Sequence, residues 1–590
     1  MDDIPKKELV LTSLKSLSLV KKVDSKGLVV LVIFQLFLGI FPSLNLILMQ
    51  KIINLVLIGS FEIVEVFKWI FLLIVLTFFN YLVNQLDNYN SFKISKKMTL
   101  YIEVEMLEKT KKLSLRDFEN VETYNVIQRA QTQTGEVVFG HVQLLMSLLK
   151  TIMVILSNSA ILILWRWWLL LIIVLLSVTK IIVLSKYSKE TYAVHKARTT
   201  QEREKWYYQY LLTSDFAFKE LQLFDTYDFF IDKFTRLSKF FIDQDKTIMK
   251  KYIRSESILA VLDVLVVGMS MAICVYDIKI KRILVGNFVI NINCMTLIKS
   301  SMDTLAQEFI TLEKETLDLT YLFDFFAIKS EKKQDKNNKI EVNEINKIEV
   351  RDVSFRYHQS DDFALKNVNL VANRGEAISI VGLNGSGKST LLKLIAGFYT
   401  EYTGKIFVNG IDLREISIKS YQKKIGVLFQ EFAKYELPLR ENVGLSNLTE
   451  ANNDPKIRHC LELVGVSSEQ LGGLDRQLGY WFEGGTQLSG GQWIKVGIAR
   501  ALFRESSMII LDEPNASLDP IAETEIFSNY KELISDKVSL VITHRLASAK
   551  YLSDNIIVFN EGSIIAEGDH DCLFETCELY RDMYEMSQTK

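Results

Sequence analysis

A chain of 590 residues that is 49% hydrophobic and 11% aromatic is neither disordered nor collagen-like. Its formal charge of −2, from 69 basic and 71 acidic side chains, argues against a general nucleic-acid binder. Five scattered cysteines (Cys274, Cys294, Cys460, Cys572, Cys577) with no CxxC pair point to neither a disulfide framework nor a zinc site.

Residues 1–26 are charged and amphipathic, and no small-residue cleavage site follows the first apolar run, so no removable signal peptide is expected. From Gly27 to about Ile310 the apolar residues come in blocks long enough for a bilayer, which needs about 20 residues of helix. The first starts at Gly27 and the second at Val66. A third, about 144–164, and a fourth, about 169–184, are divided only by Trp165, Arg166, Trp167 and Trp168, which predicts a tight hairpin with an aromatic and basic belt. A fifth starts at Ser257 and a more polar sixth near Gly286. Six spans place both termini on one side. Lys and Arg number 8 in 84–138 and 14 in 185–256, against about 5 in the opposite loops, so the positive-inside bias makes those intervals and both termini cytoplasmic.

These two intervals are rich in Lys, Glu, Gln and aromatics and nearly free of Gly and Pro, which predicts helices that continue below the membrane. At 1.5 Å per residue, about 25 residues out and 25 back reach roughly 35 to 40 Å. Their turning points, 116–120 with Asp117, Phe118 and Tyr124, and 214–216 with Ser214 and Phe216, mix aromatics and charges as a docking surface would.

Residues 329–346 are highly charged and without apolar periodicity, as in a linker. Beyond them, short β-branched runs alternate with helical stretches, the pattern of a parallel sheet in an α/β domain over 347–590. There the strand 377–381 runs into Gly382, Leu383, Asn384, Gly385, Ser386, Gly387, Lys388, Ser389 and Thr390, then into a helix: a P-loop in the strand–loop–helix context it requires. Glycines let the backbone wrap phosphates, amides at the helix start face the anion, Lys388 reaches the β and γ phosphates, and Ser389 can ligate Mg2+. A strand at 508–511 ends in Asp512, placed to hold Mg2+, and Glu513, placed to orient or deprotonate the attacking water. Leu488, Ser489, Gly490, Gly491 and Gln492 open a further helix with another glycine-rich anion site.

On these motifs the chain resembles a half-transporter of the ATP-binding cassette (ABC) exporters: an all-α six-helix transmembrane domain fused to an α/β P-loop nucleotide-binding domain. The resemblance covers nearly the whole chain. It implies ATP and Mg2+ as cofactors and two facing cassettes, in which Ser489–Gln492 contact the γ-phosphate held by the opposite subunit. It also implies that Tyr357 stacks on adenine, that Gln430 senses Mg2+ and contacts the membrane domain, that Asp519 belongs to the D-loop, and that His544 steadies the γ-phosphate. Glu483 matches a coupling position, although Phe482 stands where related exporters usually have glycine. Glu513 and Ser489–Gln492 are intact, so one chain type could build both sites as a homodimer.

Fusion in this order is similar to exporters. Within them the likeness is to lanthipeptide (lantibiotic) exporters of the nisin and subtilin transporter type, carried by residues 203–208, 211–220, 429–437 and 479–482. That implies export of a modified precursor peptide across a bacterial cytoplasmic membrane, in concert with a lanthionine-forming dehydratase and cyclase. With about 26 residues before the first span, no amino-terminal cysteine peptidase is expected. A lipid flippase or multidrug exporter would share every catalytic motif. In the cavity, Asp263 lies within the fifth helix, and Asn287, Asn291, Lys299 and Asp303 recur at multiples of four on the sixth. This stripe either faces the translocation pathway or bonds neighbouring helices. The small net charge is a cancellation: residues 1–345 carry 43 basic and 37 acidic side chains (+6), and 346–590 carry 26 and 34 (−8).

Overall fold

The computed structural model describes residues 6–58, 62–120, 123, 126–127, 130, 135–328, 339–358, 360–515, 518 and 536–588. The chain divides into two compact units, 1–111 with 125–328, and 112–124 with 329–590.

The first unit is helical: α1 (Lys6–Ile58), α2 (Ile63–Thr110), α4 (Gly135–Ala197), α5 (Thr199–Thr213), α6 (Asp215–Leu223), α7 (Tyr227–Lys279) and α8 (Val285–Ala327), with α3 (Leu115–Glu119) falling in the other unit. Four of these, α1, α2, α4 and α7, are long and apolar enough to cross a membrane. Extended backbone at Arg166 (φ −148°, ψ 89°) interrupts α4, so its 63 residues can supply two spans; α8, at 43 residues, is shorter and more polar. On α2, Phe67, Phe71, Ile74 and Phe78 recur every three or four residues and are 60–68% exposed, a stripe suited to lipid. From Val83 the same helix runs unbroken to Thr110, about 40 Å at 1.5 Å per residue.

Lipid supplies no hydrophobic drive between helices, so polar pairs specify their register. Along the antiparallel pair formed by α4 and α7 they form successive rungs. Arg166 donates to both carboxylate oxygens of Asp277 (2.8 and 3.0 Å) and the Trp165 indole to one of them (3.1 Å). Lys180 pairs with Asp263, Tyr187 bonds Ser255 (2.8 Å), Lys251 pairs with Glu190 (2.6 Å), and Arg198 reaches Asp245 (3.0 Å). Each step down α4 is matched by a step up α7.

The second unit holds two sheets. An antiparallel sheet in the order β2-β1-β4-β5 comprises β1 (Lys347–Phe355), β2 (Leu365–Asn373), β4 (Thr403–Val408) and β5 (Ile411–Asp412). The other, ordered β10-β9-β3-β8-β7-β6, comprises β3 (Ala377–Gly382), β6 (Ile425–Leu428), β7 (Met508–Asp512), β8 (Val538–Ile542), β9 (Asn555–Asn560) and β10 (Ser563–Gly568), parallel except at its β9–β10 edge. β3, β7 and β8 are buried at every position, as strands covered on both faces must be. α9 (Lys388–Ile395) and α10 (Gly490–Phe503) pack beside them.

Residues 112–124 belong to this unit. There the short helix α3 (Leu115–Glu119) rests Leu115 on the cassette core. Arg116 pairs with Glu401 (2.5 Å) and meets the His358 ring (2.9 Å), and the Tyr399 hydroxyl donates to Glu119 (2.7 Å).

Asp277 is 1% exposed and its removal strands the Arg166 guanidinium. Asp277→Ala should cost about 3 kcal/mol, read as a lowered unfolding midpoint of the solubilised chain. Asp232→Ala, which breaks an exposed i,i+4 pair with Arg236, should cost under about 0.5 kcal/mol.

Candidate active site

Four adjacent parallel strands, β3, β8, β7 and β6, end on one rim, with Ile380 opposite Ile542, Ile542 opposite Asp512, and Leu511 opposite Leu428. The residues just beyond these ends form the site. Open α/β sheets bind ligands at the carboxyl ends of their strands, and this rim holds every residue of the P-loop and both acids.

At β3 the chain turns through Gly382, where a Cβ would stand 2.2 Å from the Phe559 carbonyl oxygen, so only glycine fits. The loop ends at Gly387 in the left-handed region (φ 104°), which starts α9 with its first amides facing the loop. Lys388 is buried and donates to the carbonyls of Gly382 (3.0 Å) and Leu383 (2.8 Å) and to the Ser386 hydroxyl (3.4 Å). Burial pushes its ammonium pKa down, and Glu513 and Asp512 oppose that shift. Thr390 bonds the Tyr357 hydroxyl (3.0 Å), and Tyr357 stands edge-on to Phe355 and Tyr399, so one aromatic face is fixed beside the P-loop helix.

Asp512, at the end of β7, is 3% exposed, and its Oδ1 has no hydrogen-bond partner among the described residues. Burial holds its pKa above the usual carboxylate range, with Ser389 close enough to oppose the shift through a hydrogen bond. A buried, unsatisfied carboxylate oxygen beside a hydroxyl is a hard-oxygen donor set, and it fits Mg2+.

Glu513 follows in the left-handed region (φ 51°), an uncommon state for a residue with a side chain. Two neighbouring strand ends hold its carboxylate: His544, past β8, places Nε2 2.7 Å from Oε1, and Gln430, past β6, donates its amide to Oε2 (3.1 Å). Asn515 ties the two exits together by donating to Thr543 (3.2 Å) and Ser548 (3.4 Å). Its role had no motif to announce it; an asparagine two residues after paired acids is the only cue.

Ser489 caps α10 reciprocally with Gln492: its hydroxyl accepts from the Gln492 amide (3.2 Å) and Gln492 accepts from the Ser489 amide (2.9 Å). Gly490 and Gly491 are the first helical residues, so their amides remain available at the tip. Tyr124 and Asp519 lie outside the described residues.

The docking residues named from sequence divide. Asp117 accepts from the Ser114 amide (2.7 Å) and hydroxyl (2.8 Å) in a capping box, and Phe118 is 40% exposed, so Arg116, Glu119 and Leu115 make the contacts with the cassette. Ser214 precedes α6 without capping it, and Phe216 and Glu483 are exposed. In the polar stripe, Asn287 accepts from Gln50 (2.9 Å) and Asn54 (3.2 Å) of α1, and Asn291 is buried. Asp263 pairs with both Lys180 and Lys299, the latter at 3.2 Å.

Residues 365–516 match the ABC transporter family. The chain is 33% identical to the subtilin transport ATP-binding protein SpaT of Bacillus subtilis over 97% of its own length and 93% of that protein's. It is 32% identical to the nisin transport ATP-binding protein NisT of Lactococcus lactis subsp. lactis over 98% and 96%. The ATP-dependent lipid A-core flippase of Escherichia coli (strain K12) is 33% identical over 44% of this chain and 45% of that protein. In fold, the chain superposes on a bacterial Atm1-family ABC exporter with ATP bound at a TM-score of 0.80, over 95% of this chain and 98% of that one, with 20% identity.

Glu513→Gln should retain ATP binding, read by filter retention of labelled nucleotide, and reduce phosphate release by about 10²- to 10⁴-fold. Lys388→Ala should lose the binding itself.

Proposed function

Because this chain belongs to the ABC transporters, in the group that holds the subtilin and nisin transport ATP-binding proteins, we propose that it is an exporter that drives a modified lanthipeptide or other bacteriocin precursor peptide across a bacterial cytoplasmic membrane by hydrolysing ATP. The supporting observation is that its likeness to SpaT and NisT runs through membrane helices and cassette alike, over 97% and 98% of the chain, whereas likeness to the flippase covers 44%.

The cassette residues divide the chemistry. Tyr357 stacks on the base, the P-loop amides and Lys388 take the phosphates, and Ser389 and Asp512 hold Mg2+. That ion, when bound, neutralises charge that develops on the transferred phosphoryl group. Glu513 draws a proton from the attacking water, with its carboxylate aimed by Gln430 and His544. Two copies face each other as a homodimer, and Ser489–Gln492 of one copy, with Asp519, close on the ATP held by the other. Closure reaches the membrane helices through α3, α6 and the loop of Glu483. Alternating access follows from hydrolysis resetting the closed pair.

Both termini lie on the cytoplasmic side. In the cavity, Asn287 and the buried Asn291 serve helix packing, and the pathway is lined from the Asp263 cluster, where Lys299 and Asp303 keep 28% and 39% exposure. The dehydratase and cyclase that modify the precursor are proposed to deliver it.

Vesicles holding the purified chain should hydrolyse ATP faster when given the modified precursor peptide with its leader than when given lipid A or cationic dyes. The reverse order would assign the chain to lipid or multidrug export.

A further inference from the structure

The stretch 479–485 carries Tyr480, Trp481 and Phe482, which are 57%, 78% and 57% exposed, so side-chain packing cannot be what holds it. Its main chain is held instead. The half-buried Glu436 accepts the consecutive backbone amides of Tyr480 (2.9 Å) and Trp481 (2.8 Å) on a single oxygen, Oε2. Gly479 makes this approach possible: it sits in the left-handed region (φ 82°), and a Cβ there would lie 2.3 Å from the Glu436 carboxyl.

Both sides of this clamp lead to the catalytic machinery. Glu436 is six residues past Gln430, and the stretch between is pinned by Arg500 of α10, which donates to the Ala433 carbonyl (3.1 Å) and lies over the Tyr435 ring. On the other side, 479–485 is closed at its base by Gly479 N–H to Thr486 O (2.9 Å) and Thr486 N–H to Gln477 O (3.0 Å). Three residues later comes Ser489.

We propose that Glu436 is a positioning residue for ATP hydrolysis: its carboxylate locks 479–485 against the Gln430 stretch and so sets the presentation of Ser489–Gln492 to the ATP of a second copy. A charged acceptor shared by two amides is a strong, directional hydrogen-bonding arrangement. The groups that bind nucleotide in the same copy, Tyr357, Lys388 and Ser389, make none of these contacts. The clamp therefore acts on turnover and leaves nucleotide affinity alone. This inference rests on the ATPase reading given above.

The full-length chain in lipid vesicles is assayed for ATP turnover, and its amide hydrogen exchange is followed by mass spectrometry. Glu436→Ala should lower kcat about 10-fold with KM for ATP unchanged within twofold, and speed exchange over 480–482 at least 10-fold while the P-loop stays as protected as in the wild type. Glu436→Gln keeps an amide oxygen where Oε2 stands and should retain at least half of kcat. Gly479→Ala, which forces the same pair apart from the other side, should reproduce the Glu436→Ala split and decides the matter if that variant does not reach the membrane. An unchanged kcat, unchanged exchange over 480–482, a KM effect without a kcat effect, or equal losses in the Gln and Ala variants would overturn the proposal. Wild type and Glu513→Gln run alongside. A wild type without turnover refutes the ATPase reading, and the exchange measurement then still tests the clamp.

Discussion

The in-register parallel pairing of β3, β8, β7 and β6 is the constraint on which the site depends. It brings the P-loop, His544, both acids and Gln430 to neighbouring strand ends although Gly382 and His544 are 162 positions apart in the chain. Side chains alternate along a strand, so a slip of one residue would turn Asp512 to the opposite face and detach Glu513 from both partners. Full burial of β3, β7 and β8 makes such a slip costly, because every apolar side chain would be displaced with it. The apolar sheet thus supplies the rigidity that Glu513 needs to hold a left-handed backbone at the point of chemistry.

In the helical unit a different physics does the same task. Apolar faces such as that of α2 are equally content against lipid or against another helix, so they choose no partner. The rungs at Asp277 and Asp263 do choose, because carboxylates only 1% and 6% exposed are satisfied by Arg166 and Lys180 at one register alone. Asp263 is held by two cations, 95% buried between Lys180 and Lys299.

The cassette combines both devices at its surface. α3 is held by Leu115 on the core and by three polar contacts at its rim, and the tip of 479–485 is held by one carboxylate with its aromatic side chains in the open. Parts fixed by few, directional bonds can shift as units when those bonds change. Parts fixed by burial cannot.

Much of this was legible in the sequence, where the signal is local. Glycine spacing at 382–387, two acids closing an apolar run at 512–513, and the Ser489–Gln492 cap all depend on atoms within a turn or two of chain, and such interactions are encoded by spacing alone. The break between the third and fourth apolar blocks was written in the same way, as a polar interruption that the structure places at Arg166. Asp117 shows the limit: its composition suggested a docking side chain, yet its carboxylate closes a capping box and its neighbours Arg116 and Glu119 reach the cassette. No spacing rule links Glu436 to the amides of residues 480 and 481, Lys180 to Asp263, or Glu513 to both Gln430 and His544. These pairs are 44, 45, 83, 83 and 31 positions apart. The sequence by itself determined which segments are strands, spans and phosphate loops, because periodicity and hydrogen bonding within one turn are local properties. Only the tertiary structure decided which distant polar groups meet, because that depends on strand register and helix pairing summed over the whole buried core.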